Sequence, residues 1–394
     1  MSMVTPDNTQ ARADMSLEGR TIATADVVIV GGGIIGCAIA FELAKAGVHP
    51  LVLERGEVGA EASSGAAGLL TTQAHSDEAD ALFELKLASR GLYPALAREL
   101  AERTDVDIEF RELGHLVPAF SADEAATIQA RIAWQVARKL PAEWLDAKAV
   151  RAFEPGLSLD AQGAGWFALD HHVNNTAVAQ AFATATRRLG GRIRTECEVV
   201  DLCQEGDRVT GVRTATEILS AATVILAAGA WSGNFAKAAG IPIPVSPAKG
   251  QIVVARLPRP AIATTVHGGS YGIPRASGEH ILGSTVEYVG FDKATTPEGI
   301  ASVLAEMTRV VPALREAEMV ASWGCLRPAT PDGLPMLGPV RPGLILATGH
   351  FRNGILLAPI TGKLIAELVL TGESPAALEP FRPDRPFPSV APPT

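Results

Sequence analysis

Three glycines spaced as Gly31-x-Gly33-x-x-Gly36 stand between an apolar run, Asp26-Val-Val-Ile-Val30, and a helical pattern that opens at Ile34, and Glu54 closes the next apolar run. Each residue type has a mechanical reason to be there. Gly31 permits a tight turn, Gly33 lets backbone approach a pyrophosphate, and Gly36 lets the helix lie against the sheet. The first helical turn, beginning with Ile34 and Ile35, offers unpaired N–H groups and partial positive charge to phosphates. Glu54 would accept hydrogen bonds from ribose hydroxyls and disfavour a 2′-phosphate. With strand, helix and acid all in place, the spacing predicts a dinucleotide site; the plain alternative is a helix–sheet turn with no ligand. The run Ala62-Ser-Ser-Gly-Ala-Ala-Gly-Leu-Leu70 then supplies small residues suited to close backbone packing on an extended or flat ligand, or else only a flexible loop.

A second kind of chemistry rests on Arg327. It sits in Trp323-Gly-Cys-Leu-Arg-Pro328, an otherwise apolar stretch. A buried guanidinium needs an anion, and a carboxylate gripped bidentately supplies one. A substrate carboxylate and a structural salt bridge to Asp332 are the two readings. Tyr271, one of three tyrosines, lies on an expected strand. His267 and His350 are candidate bases, although lone histidines are more often structural. No acid or histidine is paired for proton abstraction.

The elements that must position these groups begin with a β-α-β unit, in which the strand from Asp26 to Val30 reads as buried on both faces. Helices are expected at 79–103, 122–140 and 175–189, and strands at Ile108–Val117, Arg192–Leu202, Val209–Ala215 and Thr223–Ala228. Pro242, Pro244 and Pro247, then Pro258 and Pro260, bracket a crossing into a region, 262–290, that alternates as sheet. Leu344–Thr348 returns as strand and Ile355–Leu370 as helix. The fold class is therefore α/β with two domains, a Rossmann-like FAD/NAD(P)-binding domain with an inserted antiparallel-sheet substrate domain. The expected dinucleotide-binding parts are 21–105, 166–245 and 325–385, the inserted parts 106–165 and 246–324, with a disordered arm at 1–20 and a tail at 386–394.

Composition narrows the function classes. The chain has 394 residues, 47% of them hydrophobic and 20% charged, which suits a folded protein with a large core. A net charge of −9 argues against a nucleic-acid partner. Cys37, Cys197, Cys203 and Cys325 form no C-x-x-C pair, so neither a zinc site nor a disulfide framework is expected, and no metal is assigned. The apolar run from Val27 to Phe41 is too short for a membrane span and does not read as a signal peptide. A cytoplasmic protein with no membrane span is the expectation.

Five segments together resemble the FAD-dependent D-amino acid oxidase superfamily: Asp26–Glu54, the loop Ser63–Gly68, Ala227-Ala-Gly-Ala-Trp-Ser-Gly233, Leu326-Arg-Pro-Ala-Thr-Pro-Asp-Gly333 and Gly349-His-Phe-Arg-Asn-Gly-Ile-Leu-Leu-Ala-Pro359. Within it they are most similar to the glycine oxidases of thiamine biosynthesis. The resemblance implies FAD as cofactor and a small amino acid or secondary amine as substrate, with hydride transfer from Cα to flavin N5. The products would be an oxo acid, ammonia or an amine, and hydrogen peroxide from O2. It also implies a homo-tetramer. Ser63, Ser64, Ala67, Gly68 and Leu69 would line the pyrophosphate and flavin, and Val199 would meet the adenine through its backbone. Arg55, Ala228, Gly229 and Trp231 would complete that side. His350, Arg352, Asn353, Gly354, Ile355 and Leu356 would face the flavin from the start of the last helix, whose dipole would stabilise negative charge on the ring. Arg327 matches the arginine that binds the substrate carboxylate, Tyr271 a pocket tyrosine, and Arg352 a second pocket arginine, with a domain-interface role as its alternative. Cys325 occupies the place where related sarcosine oxidases carry a flavin-linked cysteine, the alternative being a small apolar filler. A dehydrogenase passing electrons to a quinone or protein, and a non-catalytic FAD-binding subunit, are the competing functional readings.

Overall fold

The computed structural model describes residues 23–275 and 277–388. The arm expected at 1–20 and the tail beyond 388 lie outside them. Strand β1 (Ala23–Val30) leads through Gly31, Gly32 and Gly33 into helix α1 (Ile34–Lys45), and β2 (Leu51–Leu53) follows. Alternate residues of β1 serve opposite layers. Val28 and Val30 pack with Val224 and Leu226 on one face. Val27 and Ile29 pack with Ile39, Leu43, Leu357 and Ile365 on the other. Both faces are covered from Val27 to Val30, so that run is wholly apolar, and each such side chain contributes about 1.5–3 kcal/mol by leaving water.

The first sheet has eight strands. Its parallel centre runs Leu344–Thr348, Ile218–Leu226, β1, β2, Arg192–Arg194, with Met336–Arg341 antiparallel at one edge. Val199–Glu205 and Arg208–Thr214 form an antiparallel extension of Ile218–Leu226. The second sheet, also of eight strands, runs in order Glu318–Ala329, Ser246–Arg256, Glu279–Gly283, Tyr271–Pro274, Thr265–His267, His115–Ala119, Gly163–Phe167, Ala142–Asp146. It is antiparallel except where Thr265–His267 runs parallel to His115–Ala119. Gly163–Phe167 runs across the expected boundary at 165/166, and Glu318–Ala329 across that at 324/325.

Several expected elements are redrawn for local reasons. The strand expected at Ile108–Val117 is confined to His115–Ala119, because Glu109 (φ 51°) and Gly114 (φ 68°) are left-handed and break the pleat. The run expected at Arg192–Leu202 divides at Glu196 (φ 53°) into two strands. The proline-rich stretch read as a crossing holds a long strand, Ser246–Arg256, paired on both sides.

The last helix, Gly354–Thr371, contains Pro359, which cannot donate to the Ile355 carbonyl one turn back. The buried Tyr93 hydroxyl donates to that carbonyl instead, at 2.5 Å, and Ser89 Oγ donates to the Leu356 carbonyl at 2.6 Å. Among the described residues this is the one helix long and apolar enough to cross a membrane, and 61% of it is buried inside the protein, against α1 and the helix Ala81–Thr104.

Candidate active site

Two helix N-termini open on one cavity of ≈ 500 Å3. At α1 the N-cap is Gly33, which has no side chain to cap the turn. Ser63 Oγ supplies the missing acceptor, taking the Ile34 N–H at 2.9 Å, while Asn175 holds the Ser63 and Ser64 carbonyls at 2.7 and 3.0 Å. The last helix starts after Asn353, also without a side-chain cap. Neither helix has an acid in its first turn, so both present partial positive charge to the cavity.

Gly31, Gly33, Ile34 and Ile35 line this cavity, as do Glu54 and Arg55 from the end of β2. Gly31 needs its left-handed φ of 108°, and a Cβ there would lie 2.5 Å from the Ala227 carbonyl oxygen. Gly33 is different. A Cβ there would meet only Ser63 Oγ, at 3.4 Å, so the protein itself leaves the space free on the cavity side. Glu54 accepts the Gly32 N–H at 2.7 Å on one oxygen and the Gly56 N–H at 2.8 Å on the other. Each oxygen keeps a lone pair for a ribose hydroxyl. Arg55 lies 3.6 Å over the Trp231 ring and pairs with Glu61 at 2.7 Å. Ser63, Ala67, Gly68 and Leu69 form another stretch of wall, with Val199, Ala228, Gly229 and Trp231 beside them. His350, Arg352 and Asn353, just before the last helix, and Gly354, Ile355 and Leu356 in its first turn also line it.

Two expected residues lie off this wall. Gly36 packs α1 onto the turn, where a Cβ would sit 2.0 Å from the Gly31 carbonyl oxygen. Ser64 turns away to hydrogen-bond the Gly59 carbonyl. The rest fit an extended dinucleotide. Helix amides would meet a pyrophosphate, Glu54 a ribose, and the small residues a flat ring.

At the other end of the cavity Arg327 and Tyr271 come together. Arg327 projects from Glu318–Ala329 over Gly250, where a Cβ would collide with the guanidinium at 2.0 Å. Its Nη1 donates to the Thr285 carbonyl at 3.1 Å and its Nη2 to Ser284 Oγ at 2.5 Å. The salt bridge to Asp332 does not form, because Asp332 is held by Arg385 at 2.8 and 3.1 Å. Arg352 faces the same space, its pKa lowered by desolvation and by Arg327. Neither arginine has a carboxylate partner among the described residues. Desolvation raises the Tyr271 phenol, against the opposing pull of Arg327, so it stays protonated as a donor.

The histidines divide by environment. His350 is buried, its Nε2 3.1 Å from Thr361 Oγ1, and burial lowers it to about 3. It is a neutral structural group. His267 meets His75, which the sequence did not single out, with ring centroids 4.2 Å apart. Desolvation lowers His267 to about 4 and His75 well below the usual range. Both line the cavity beside Tyr271. His75 is fixed there because Asp170 accepts the Thr72, Gln73 and Ala74 amides at 2.7, 2.8 and 2.8 Å. Ser284 and Thr285 were also missed, for they reach Arg327 only through sheet pairing. Cys325 is a buried thiol on the cavity wall, donating to the Gly65 carbonyl at 3.3 Å, and desolvation raises its pKa.

A sequence profile described as FAD dependent oxidoreductase (DAO) matches residues 26–368. The chain is 38% identical over 361 residues to a glycine oxidase of Geobacillus kaustophilus, covering 90% of this chain and 96% of the relative. It is 36% identical to a glycine oxidase of Pseudomonas aeruginosa, with 89% and 95% covered. The crystal structure of glycine oxidase from Geobacillus kaustophilus superposes with a TM-score of 0.89 at 37% identity, covering 93% of this chain and 100% of that one. The chain therefore belongs to the FAD-dependent oxidoreductases of the DAO family.

Proposed function

We propose that this protein oxidises glycine or another small amine, such as sarcosine or a D-amino acid, at Cα. The overall reaction takes amine, O2 and water to an oxo acid, ammonia or an amine, and hydrogen peroxide. The observation that carries this reading is the Arg327 guanidinium. It is held by Ser284 and Thr285 at the cavity wall and has no carboxylate partner among the described residues. FAD, when bound, supplies the acceptor for the hydride equivalent that leaves Cα.

Arg327 takes the substrate carboxylate as a planar fork, each charge-assisted bond contributing about 1.5–3 kcal/mol. Protonated Tyr271 donates from one side and Arg352 adds positive charge from another. The protein's work is orientation of one bound amine. His75 and His267 stay neutral at pH 7 and add no charge beside the amine. Gly31, Gly33, Glu54, Ser63, Ala67, Gly68, Val199, Gly229 and the first turn of the last helix hold the cofactor in this reading. In this reading the first sheet carries the FAD-binding domain and the second the substrate domain, with the strands Gly163–Phe167 and Glu318–Ala329 reaching across the boundaries expected from the sequence. We further propose that the protein works in the cytoplasm as a homo-tetramer.

Mixing the yellow holoprotein anaerobically with glycine, sarcosine and D-alanine tests the reading. At least one should bleach the visible flavin band, and aerobic turnover should then release peroxide. Bleaching without peroxide would assign a different electron acceptor. No bleaching by any small amine would sink the proposal.

A further inference from the structure

Behind the Arg327 anchor a buried lysine pairs with a half-buried glutamate, and neither is part of the cavity wall. Lys249, 2% exposed, bonds Glu287 at 3.0 Å and the Ala294 carbonyl at 3.1 Å. The two residues also exchange backbone hydrogen bonds, at 2.8 and 2.9 Å. Glu287 Oε1 accepts from Thr285 Oγ1 at 2.5 Å and from Gln251 Nε2 at 2.8 Å. Thr285 Oγ1 in turn accepts the Gln251 N–H at 3.0 Å. Gln251 reaches onward to Thr296, the N-cap of the helix Pro297–Val310, at 2.8 and 3.1 Å. Burial opposes the ionised form of Glu287, but its bonds from Thr285, Gln251 and Lys249 outweigh burial and lower its pKa.

Every group in this network is satisfied, and it ends on the segment that Arg327 grips. Thr285 offers Glu287 its hydroxyl and Arg327 its carbonyl, and Ser284 beside it holds the other guanidinium nitrogen. A buried ammonium such as that of Lys249 is expensive to keep, so its presence here asks for a role in fixing geometry. A guanidinium fork matches a carboxylate only when its plane is fixed, and a lapse of about 1 Å can cost about a hundredfold.

We infer that Lys249 and Glu287 are positioning residues which, through Thr285, set the plane of the Arg327 guanidinium for the substrate carboxylate. This rests on the reading that Arg327 binds that carboxylate. Acetate, which is glycine without its amine, is the probe, its binding to the holoprotein followed by perturbation of the flavin spectrum. Thr285→Val and Glu287→Gln should each weaken acetate roughly tenfold and raise the KM for the amine by a similar factor. The kcat at saturation should change less than threefold, with full flavin content. Thr285→Ser should restore both constants. Arg327→Lys separates the failures. If it leaves acetate binding unchanged, the carboxylate reading itself is wrong. If it weakens acetate while Thr285→Val and a folded Glu287→Gln do not, the positioning role is refuted. Should Glu287→Gln fail to fold, Thr285→Val against Thr285→Ser decides alone.

Discussion

Arg327 could be read from the sequence because a cation in an apolar stretch is costly unless something anionic meets it. What holds it could not. Ser284 and Thr285 are ordinary hydroxyl residues far along the chain, and only the pairing of Ser246–Arg256 with strands on both sides brings them under the guanidinium. His75 was hidden in the same way, since its contact with His267 joins a loop to the end of a strand distant in sequence. His350 gives a prediction at this scale. Its pKa is about 3 in the folded protein against about 6.5 for a free imidazole, so the unfolded chain binds more protons between those values. The sign follows: stability falls as pH drops below about 6.5, by about 2 kcal/mol at pH 5 from this residue alone. Melting temperatures measured at pH 7.5 and pH 5 should show the loss, and His350→Gln should shrink it. An equal acid loss in the variant would assign the effect elsewhere.

Glycines that look alike in the motif do different work once helix and strand are in place. Gly36 separates α1 from the turn, with no room for a Cβ, whereas Gly33 leaves room on the cavity side. Gly36→Ala should therefore destabilise even the flavin-free protein, while Gly33→Val should purify folded and colourless. Flavin content with circular dichroism distinguishes them, and a yellow Gly33→Val variant would contradict the site. The last helix makes a second prediction. Tyr93→Phe leaves the Ile355 carbonyl buried without its donor and should cost about 1–3 kcal/mol in denaturant titration. A variant as stable as the parent would mean the proline gap is satisfied otherwise. Elements with a strong apolar period, such as β1, α1 and Leu344–Thr348, were legible before the fold was known. Those cut short by a non-glycine residue at positive φ, Glu109 and Glu196, were not, because neither residue type announces a left-handed backbone.

At the scale of the whole molecule, one cavity joins the dinucleotide end, built on the parallel sheet, to the carboxylate end, built on the antiparallel one. The α/β class and the alternation between two sheets could be read from the order of apolar runs, whereas the strand sequence of the second sheet could not, since its pairings cross long stretches of chain. If Arg327 holds the substrate carboxylate at the far end of that cavity, rapid anaerobic mixing with the best amine substrate should separate the parent protein from Arg327→Lys. The variant should keep its flavin, need at least tenfold more amine for half-maximal bleaching, and regain little at higher pH. An unchanged concentration dependence would contradict that role of Arg327.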